Sequence, residues 1–206
     1  MLDRSVSARH APTPEALLVV DVQRDFCPGG SLAVQRGDRI VPVLNRVLAL
    51  VRVHQLPVYF TRDWHPPDST HFVTGGGRWP VHCVAGTEGA RFHSDLLVPD
   101  DAILVSKGYE TDSNGYSAFD GRLDDGAPLA DDLRERTVGH LVVGGLATEY
   151  CVKHTVLDAL HAGWNVTLIS DAIVPVELSP GDAERALGEM QAAGAALICS
   201  DDLQLK

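Results

Sequence analysis

The sequence predicts an α/β protein: a single domain built on a doubly wound, mostly parallel sheet of about six strands, with helices on both faces in three layers. Three observations predict it. Short, wholly apolar runs rich in β-branched residues recur along the chain, segments of helical periodicity separate them, and no repeat, linker or low-complexity block interrupts the alternation. Continuous apolar strands are those buried on both faces, as in a parallel sheet covered by crossover helices. With 206 residues and 45% hydrophobic content, the chain is long enough to bury one full core.

The first strand is "ALLVV" at 16–20, which leaves residues 1–15 as an N-terminal extension ahead of a domain over 16–206. Asp38 reads as the N-cap of a helix in which Ile40, Val41, Leu44, Val47, Leu48 and Val51 follow the i, i+3, i+4, i+7 template. "PVYFTR" at 57–62 is the second strand. The Pro-, Gly-, His- and Trp-rich stretch 63–100 then exceeds what a compact domain carries unless it builds a site. "AILVS" at 102–106 is the third strand, and a Gly- and Asp-rich loop leads to a short helix near 128–136. "HLVVGG" at 140–145 is the fourth strand. Thr148 reads as the N-cap of the next helix, with Val152, Thr155, Val156, Ala159 and Leu160 on one face and a stop at Gly163. "NVTLIS" at 165–170 is the fifth strand, Ser179-Pro180 with Asp182 opens a helix to Gly194, and "AALIC" at 195–199 closes the series.

Seventeen Lys and Arg against 28 Asp and Glu leave a formal charge of -11, which repels phosphate backbones and anionic lipid surfaces. No nucleic acid and no membrane are expected as partners. Residues 1–15 lack the apolar core of a secretory signal, and no later run approaches a membrane span, so a cytoplasmic protein is expected. The four cysteines, at 27, 83, 151 and 199, form no CxxC pair and no dense scaffold spacing, so free thiols are expected.

Open α/β sheets bind ligands at the carboxyl ends of their strands, near the point where strand order reverses. Asp21 follows the first strand, Asp63 and His65 the second, Lys107 the third, and Cys151 opens the helix after the fourth. Any one of these would pass as a solvated turn residue; their coincidence on one rim points to a site. Cys151 at the third helical position would face orphan N–H groups and the positive helix end, which favour a thiolate and could bind an oxyanion. Cys27, Cys83 and Cys199 read as small packing residues. Lys107 would hold a neighbouring thiolate by charge, and Asp21 would take the thiol proton and return it to a leaving amine.

"RDWHPPDSTHF" and "WPVHC" form a second constellation. Asp63 and His65, two apart, project to one side of an extended segment, and His71 and His82 come from the loop beyond. One Asp with two or three His suits one divalent metal ion, Zn2+ first and Fe2+ or Mn2+ as alternatives. A His-rich polar loop without metal is the competing reading.

Together, "LLVVDVQRDFCPGGSLAV", "TRDWHPPDSTHF", "GGRWPVHCVAGTEGA", "SKG" and "GGLATEYCV" resemble, in this order, the motifs of the nicotinamidase branch of the isochorismatase-like cysteine hydrolases. The resemblance runs from about Ala16 to the C-terminus and implies a Rossmann-like three-layer fold. It also implies a catalytic triad of Asp21, Lys107 and Cys151, a thioester acyl-enzyme, and an oxyanion hole at the amides of Ala147 and Cys151 beside a cis peptide at Leu146-Ala147. It carries metal ligation to Asp63, His65 and His82. The remaining ligand varies in the family: many members have a histidine four residues after the first, where this chain has Ser69, and others use the six-residue spacing of His71. Phe26 and Trp79 match the walls that sandwich the substrate ring, and Tyr150 is a further candidate contact. Residues 1–15 have no counterpart in short members, and "YETDSNGYSAFDG" is somewhat extended.

The function implied is hydrolysis of nicotinamide, with pyrazinamide, to the acid and ammonia in NAD salvage. A small-molecule amide is then the partner, in a chain that could form a homo-oligomer as many family members do. Two alternatives stand beside it: another carboxamide, N-carbamoyl or ureido substrate for the same triad, or a non-catalytic metal-binding or redox-sensing protein with Cys151 as its sensor thiol.

Overall fold

Side chains along the first strand alternate between two faces and so divide the core in two. The computed structural model describes residues 14–205, so the expected extension 1–15 lies, apart from Pro14 and Glu15, outside the described residues. In β1 (Glu15–Val20), Leu17 and Val19 pack into one hydrophobic cluster, while Ala16, Leu18 and Val20 pack into another on the opposite face. All six residues are buried, as a strand covered on both sides requires.

Among the described residues the sheet has seven strands in the order β4-β3-β2-β1-β5-β6-β7. Five are flanked only by parallel neighbours: β1, β2 (Val58–Asp63), β5 (His140–Leu146), β6 (Asn165–Val174) and β7 (Ala196–Ile198). β3 (Ile103–Lys107) is parallel to β2 and antiparallel to β4 (Arg122–Leu123), a two-residue edge strand beyond the six expected. β6 also runs four residues past its expected end, because after an irregularity it resumes pairing with Gly145 and Leu146 of β5.

From β1 the chain winds outward through β2 and β3, then returns to place β5 on the other side of β1. Right-handed crossovers made in opposite directions put their connections on opposite faces. α1 (Val41–Val53) accordingly packs on the Leu17 and Val19 face through Val41, Leu44, Val47, Leu48 and Val51. α2 (Leu129–Glu135), α3 (Lys153–His161) and α4 (Asp182–Ala192) cover the other face, anchored by Leu129, Leu133, Val156, Ala159 and Met190. The β2-to-β3 crossover has no α-helix. Its place beneath the sheet is taken by Cys83, Ala90 and Leu96 of the long connection.

Two further expected placements move. Asp38 is not the N-cap of α1; it lies in a 3-10 turn, Gly37–Ile40, and Ile40 occupies the cap position. Cys199 falls just past β7 and is half-buried rather than inside a strand. Gly163, at φ +97°, does follow the C-terminus of α3, and Ser179 precedes α4 with its N–H donating 2.8 Å to Asp182 Oδ2. No helix among the described residues is long and apolar enough to cross a membrane.

Where β5 passes β1, Gly145 adopts φ +138°, and a Cβ there would lie 2.0 Å from the Val20 carbonyl oxygen. Gly188 in α4 has open space where its Cβ would stand. Chemical denaturation should therefore show Gly145→Ala losing about 3 kcal/mol or more of stability, and Gly188→Ala gaining about 0.5–1 kcal/mol. Equal effects of the two substitutions would contradict the close approach of β5 to β1.

Candidate active site

β1 and β5 are the strands at which sheet order reverses, and the expected residues meet at their carboxyl ends. Asp21 leaves β1 at φ +49°. Its N–H reaches Thr61 O at 3.2 Å, and the Thr61 hydroxyl donates to its Oδ1 at 2.6 Å. Parallel register sets Asp63 beside Lys107. Lys107 is fully buried, and its ammonium donates to Asp63 Oδ1, to Gly115 O at 2.6 Å and to Cys151 Sγ at 3.4 Å. Asp21 Oδ2 is also 2.6 Å from Nζ, yet no donor is aligned on that oxygen. Ligand atoms of Asp21, Asp63 and Cys151 all lie within 4.8 Å of one another.

Burial and charge compete at each group. Burial pushes the Asp21 carboxyl up to about 6 against the pull of Lys107. It acts likewise on Asp63, but there Lys107 and His65 win and hold the carboxyl well below the usual range. Burial lowers Lys107, and the two carboxylates more than reverse this, so the ammonium persists. Burial raises the Cys151 thiol well above its ordinary value, with Lys107 opposing and Asp21 and Asp63 adding to the rise.

The turn that presents Cys151 differs from the regular helix start expected for it. Residues Thr148–Val152 form a wide turn with a kink at Tyr150 (φ −115°, ψ −106°), and α3 begins only at Lys153. Ala147, not Thr148, holds the cap position, its carbonyl accepting the N–H groups of Tyr150 and Val152. The Thr148 hydroxyl is buried without a partner. Positive charge near the sulfur therefore comes from Lys107 rather than from a helix start. The Leu146-Ala147 peptide is cis.

Beside this cluster, His65, His71 and His82 bring ligand nitrogens within 4.8 Å of one another, and all three are buried. Each ring is oriented through Nδ1: His65 to Gly108 O at 2.9 Å, His71 to Asn114 Oδ1 at 3.3 Å, His82 to Pro80 O at 2.7 Å. An oxygen acceptor on Nδ1 leaves Nε2 with its lone pair, the form in which a histidine binds metal. Asp63 Oδ2 lies 3.6 Å from His65 Nε2 and 4.0 Å from His82 Nε2. His65 Nε2 is buried and has no partner. Burial lowers His82 and brings His71 down to about 4, which keeps both neutral. This donor set suits a divalent metal ion. Ser69 does not join it; its hydroxyl accepts the His71 N–H at 3.2 Å.

A cavity joins the two clusters, lined by Asp63, His71, His82, Ala147 and Cys151 and walled by Phe26, Trp79, Tyr116 and Tyr150. The sequence motifs left out Tyr116, whose hydroxyl accepts from Trp79 Nε1 at 2.8 Å. Its signal was its place in "NGYSAF", directly after the Gly115 carbonyl that receives Lys107. Gln23 carries no local sequence signal of its role. Fully buried, it accepts the Asp63 N–H at 2.7 Å and donates to Asp63 O at 2.8 Å and Ala90 O at 2.9 Å, fixing the end of β2. Cys27 and Cys83 do not line this cavity, and burial raises both thiols, Cys27 to about 12.

Known proteins resemble this chain in sequence and in fold. The isochorismatase domain matches residues 15–202. The nicotinamidase of Escherichia coli is 40% identical over 200 residues, covering 89% of this chain and 94% of its own. The pyrazinamidase of Pyrococcus horikoshii in complex with zinc superposes with a TM-score of 0.83 at 44% identity, over 90% of this chain and 98% of that one. PnC1 of L. infantum in complex with nicotinate gives 0.84 at 33% identity, over 94% and 96%. This chain belongs to the isochorismatase domain family, on its nicotinamidase branch.

Proposed function

We propose that the protein is a nicotinamidase, a metal-dependent cysteine hydrolase that converts nicotinamide, and pyrazinamide with it, to the acid and ammonia. One observation carries this above the others: Cys151 Sγ, 3.4 Å from a buried ammonium, opens on the same cavity as Asp63, His71 and His82. The names of the relatives agree with it.

Asp21 accepts the Cys151 proton, and Lys107 holds the sulfur anion against burial. The thiolate attacks the amide carbon, and the amides of Ala147 and Cys151 stabilise the oxyanion. Asp21 returns its proton to the departing nitrogen, so ammonia leaves and a thioester remains. Asp21 then takes a proton from water, which opens the thioester to the acid and restores the thiol. Phe26 and Trp79 sandwich the ring, with Tyr150 at its edge. Asp63, His65, His71 and His82 would hold the metal, zinc first and iron(II) or manganese as alternatives, which when bound supplies a Lewis-acid anchor for the ring nitrogen. Acting in the cytoplasm, the enzyme would deliver nicotinate to NAD salvage.

Ammonia release from nicotinamide by the purified protein tests the proposal. Cys151→Ala, with an unchanged circular dichroism spectrum, should lose roughly 10⁴-fold or more in kcat. Turnover that survives this substitution would remove the thioester route.

Metal content offers a separate measurement. Chelation should abolish turnover, and added zinc, iron(II) or manganese should restore it. His71→Ala should weaken metal binding by more than the roughly 10–100-fold typical of losing an outer-sphere partner. Full metal content in that variant would remove His71 from the ligand set.

A further inference from the structure

Glu149 lies between Thr148 and Tyr150 in the turn that presents Cys151, and it is only 8% exposed. The mechanism above gives it no task. Its carboxylate grips another segment: Oε2 accepts the N–H of Val176 at 3.1 Å and Oε1 the N–H of Glu177 at 2.6 Å. Two amides on one buried carboxylate make a charge-assisted clamp, stronger than bonds between neutral groups.

The gripped segment has no ladder to hold it. β6 ends at Val174 and α4 starts at Asp182. Between them, Glu177 adopts φ +55°, its Oε1 accepts Gly181 N–H at 2.7 Å, and Ser179 N–H donates to Asp182 Oδ2. Side chains thus bind the strap to itself, and Glu149 ties it to the nucleophile turn. Val176 is the strap residue that lines the cavity, together with Ala147, Tyr150 and Cys151.

We propose that Glu149 is a positioning residue that sets substrate selectivity, because its clamp on residues 176 and 177 holds Val176 as one wall of the cavity that receives the ring. This rests on the amidase reading of the site. Losing the clamp takes the carboxylate partner from the part-buried amides of residues 176 and 177 and lets the wall retreat, so the pocket should grip a small ring less well and exclude a larger one less strictly. A residue that only supported the Cys151 turn would instead alter the chemical step equally for every amide.

The test compares wild type, Glu149→Gln, Val176→Ala and the double variant on nicotinamide and on ring-methylated nicotinamides. Both single variants should raise KM for nicotinamide with a smaller change in kcat. They should also shift the ratio of kcat/KM values by about 10-fold or more in favour of a methylated ring, the scale of one methyl group in an apolar pocket. The double variant should shift that ratio no further than Val176→Ala alone, since Glu149 acts through Val176. If Glu149→Gln lowers kcat/KM by one common factor for all the amides, or the two effects multiply, the clamp does not govern selectivity. Wild-type enzyme inert toward all of these amides would sink the substrate reading and this inference with it; wild-type turnover with unchanged ratios in the variants would sink this inference alone.

Discussion

A fully buried ammonium organises this molecule. Lys107 has no access to water, and the desolvation of a charge that deep costs several kcal/mol unless partners surround it. Its partners come from separate parts of the chain: Asp21 after β1, Asp63 at the end of β2, the carbonyl of Gly115 beyond β3, and the sulfur of Cys151 after β5. Each of these groups is itself too buried to stand alone. The ends of the central strands are therefore fixed by charge as well as by ladder hydrogen bonds, and the residues that make the site reactive also hold its rim closed.

The sequence shows its strands where both faces are covered, because burial on two sides demands unbroken apolar runs such as 16–20 and 141–143. It shows candidate reactive groups well too, since Asp21, Asp63 and Lys107 are polar types at the ends of such runs and Cys151 lies in the turn after the fourth. What it conceals has physical causes. β4 pairs for only two residues, Arg122 and Leu123, too few for any periodicity. The expected strand stops at Ser170, yet β6 continues to Val174, and Asp171 uses its carboxylate to hold Ser200. The wide turn before α3 carries Thr and Glu at positions that suit an ordinary helix start; its kink at Tyr150 and the hold of Glu149 on Val176 and Glu177 are set by tertiary structure. Gln23 and Tyr116 act through contacts about 40 positions away, with Asp63 and Trp79, that no local pattern encodes.

The two faces of the sheet also divide the labour. Three helices cover one side with conventional packing, whereas the β2-to-β3 connection on the other side has traded its helix for a long irregular segment. That segment supplies His71, Trp79 and His82 while Cys83, Ala90 and Leu96 keep it seated in the core. Irregular backbone is tolerated there because its polar groups find partners, as with Cys83 N–H on Asp25 Oδ2 at 2.7 Å.

Asp63 has one oxygen toward the ammonium and the other toward two imidazoles. Its backbone is gripped on both its N–H and its carbonyl by Gln23, so the side chain has little liberty to favour one neighbour over the other. The sulfur-ammonium cluster and the imidazole cluster are thus hinged on a single carboxylate, and neither can shift without dragging its counterpart along.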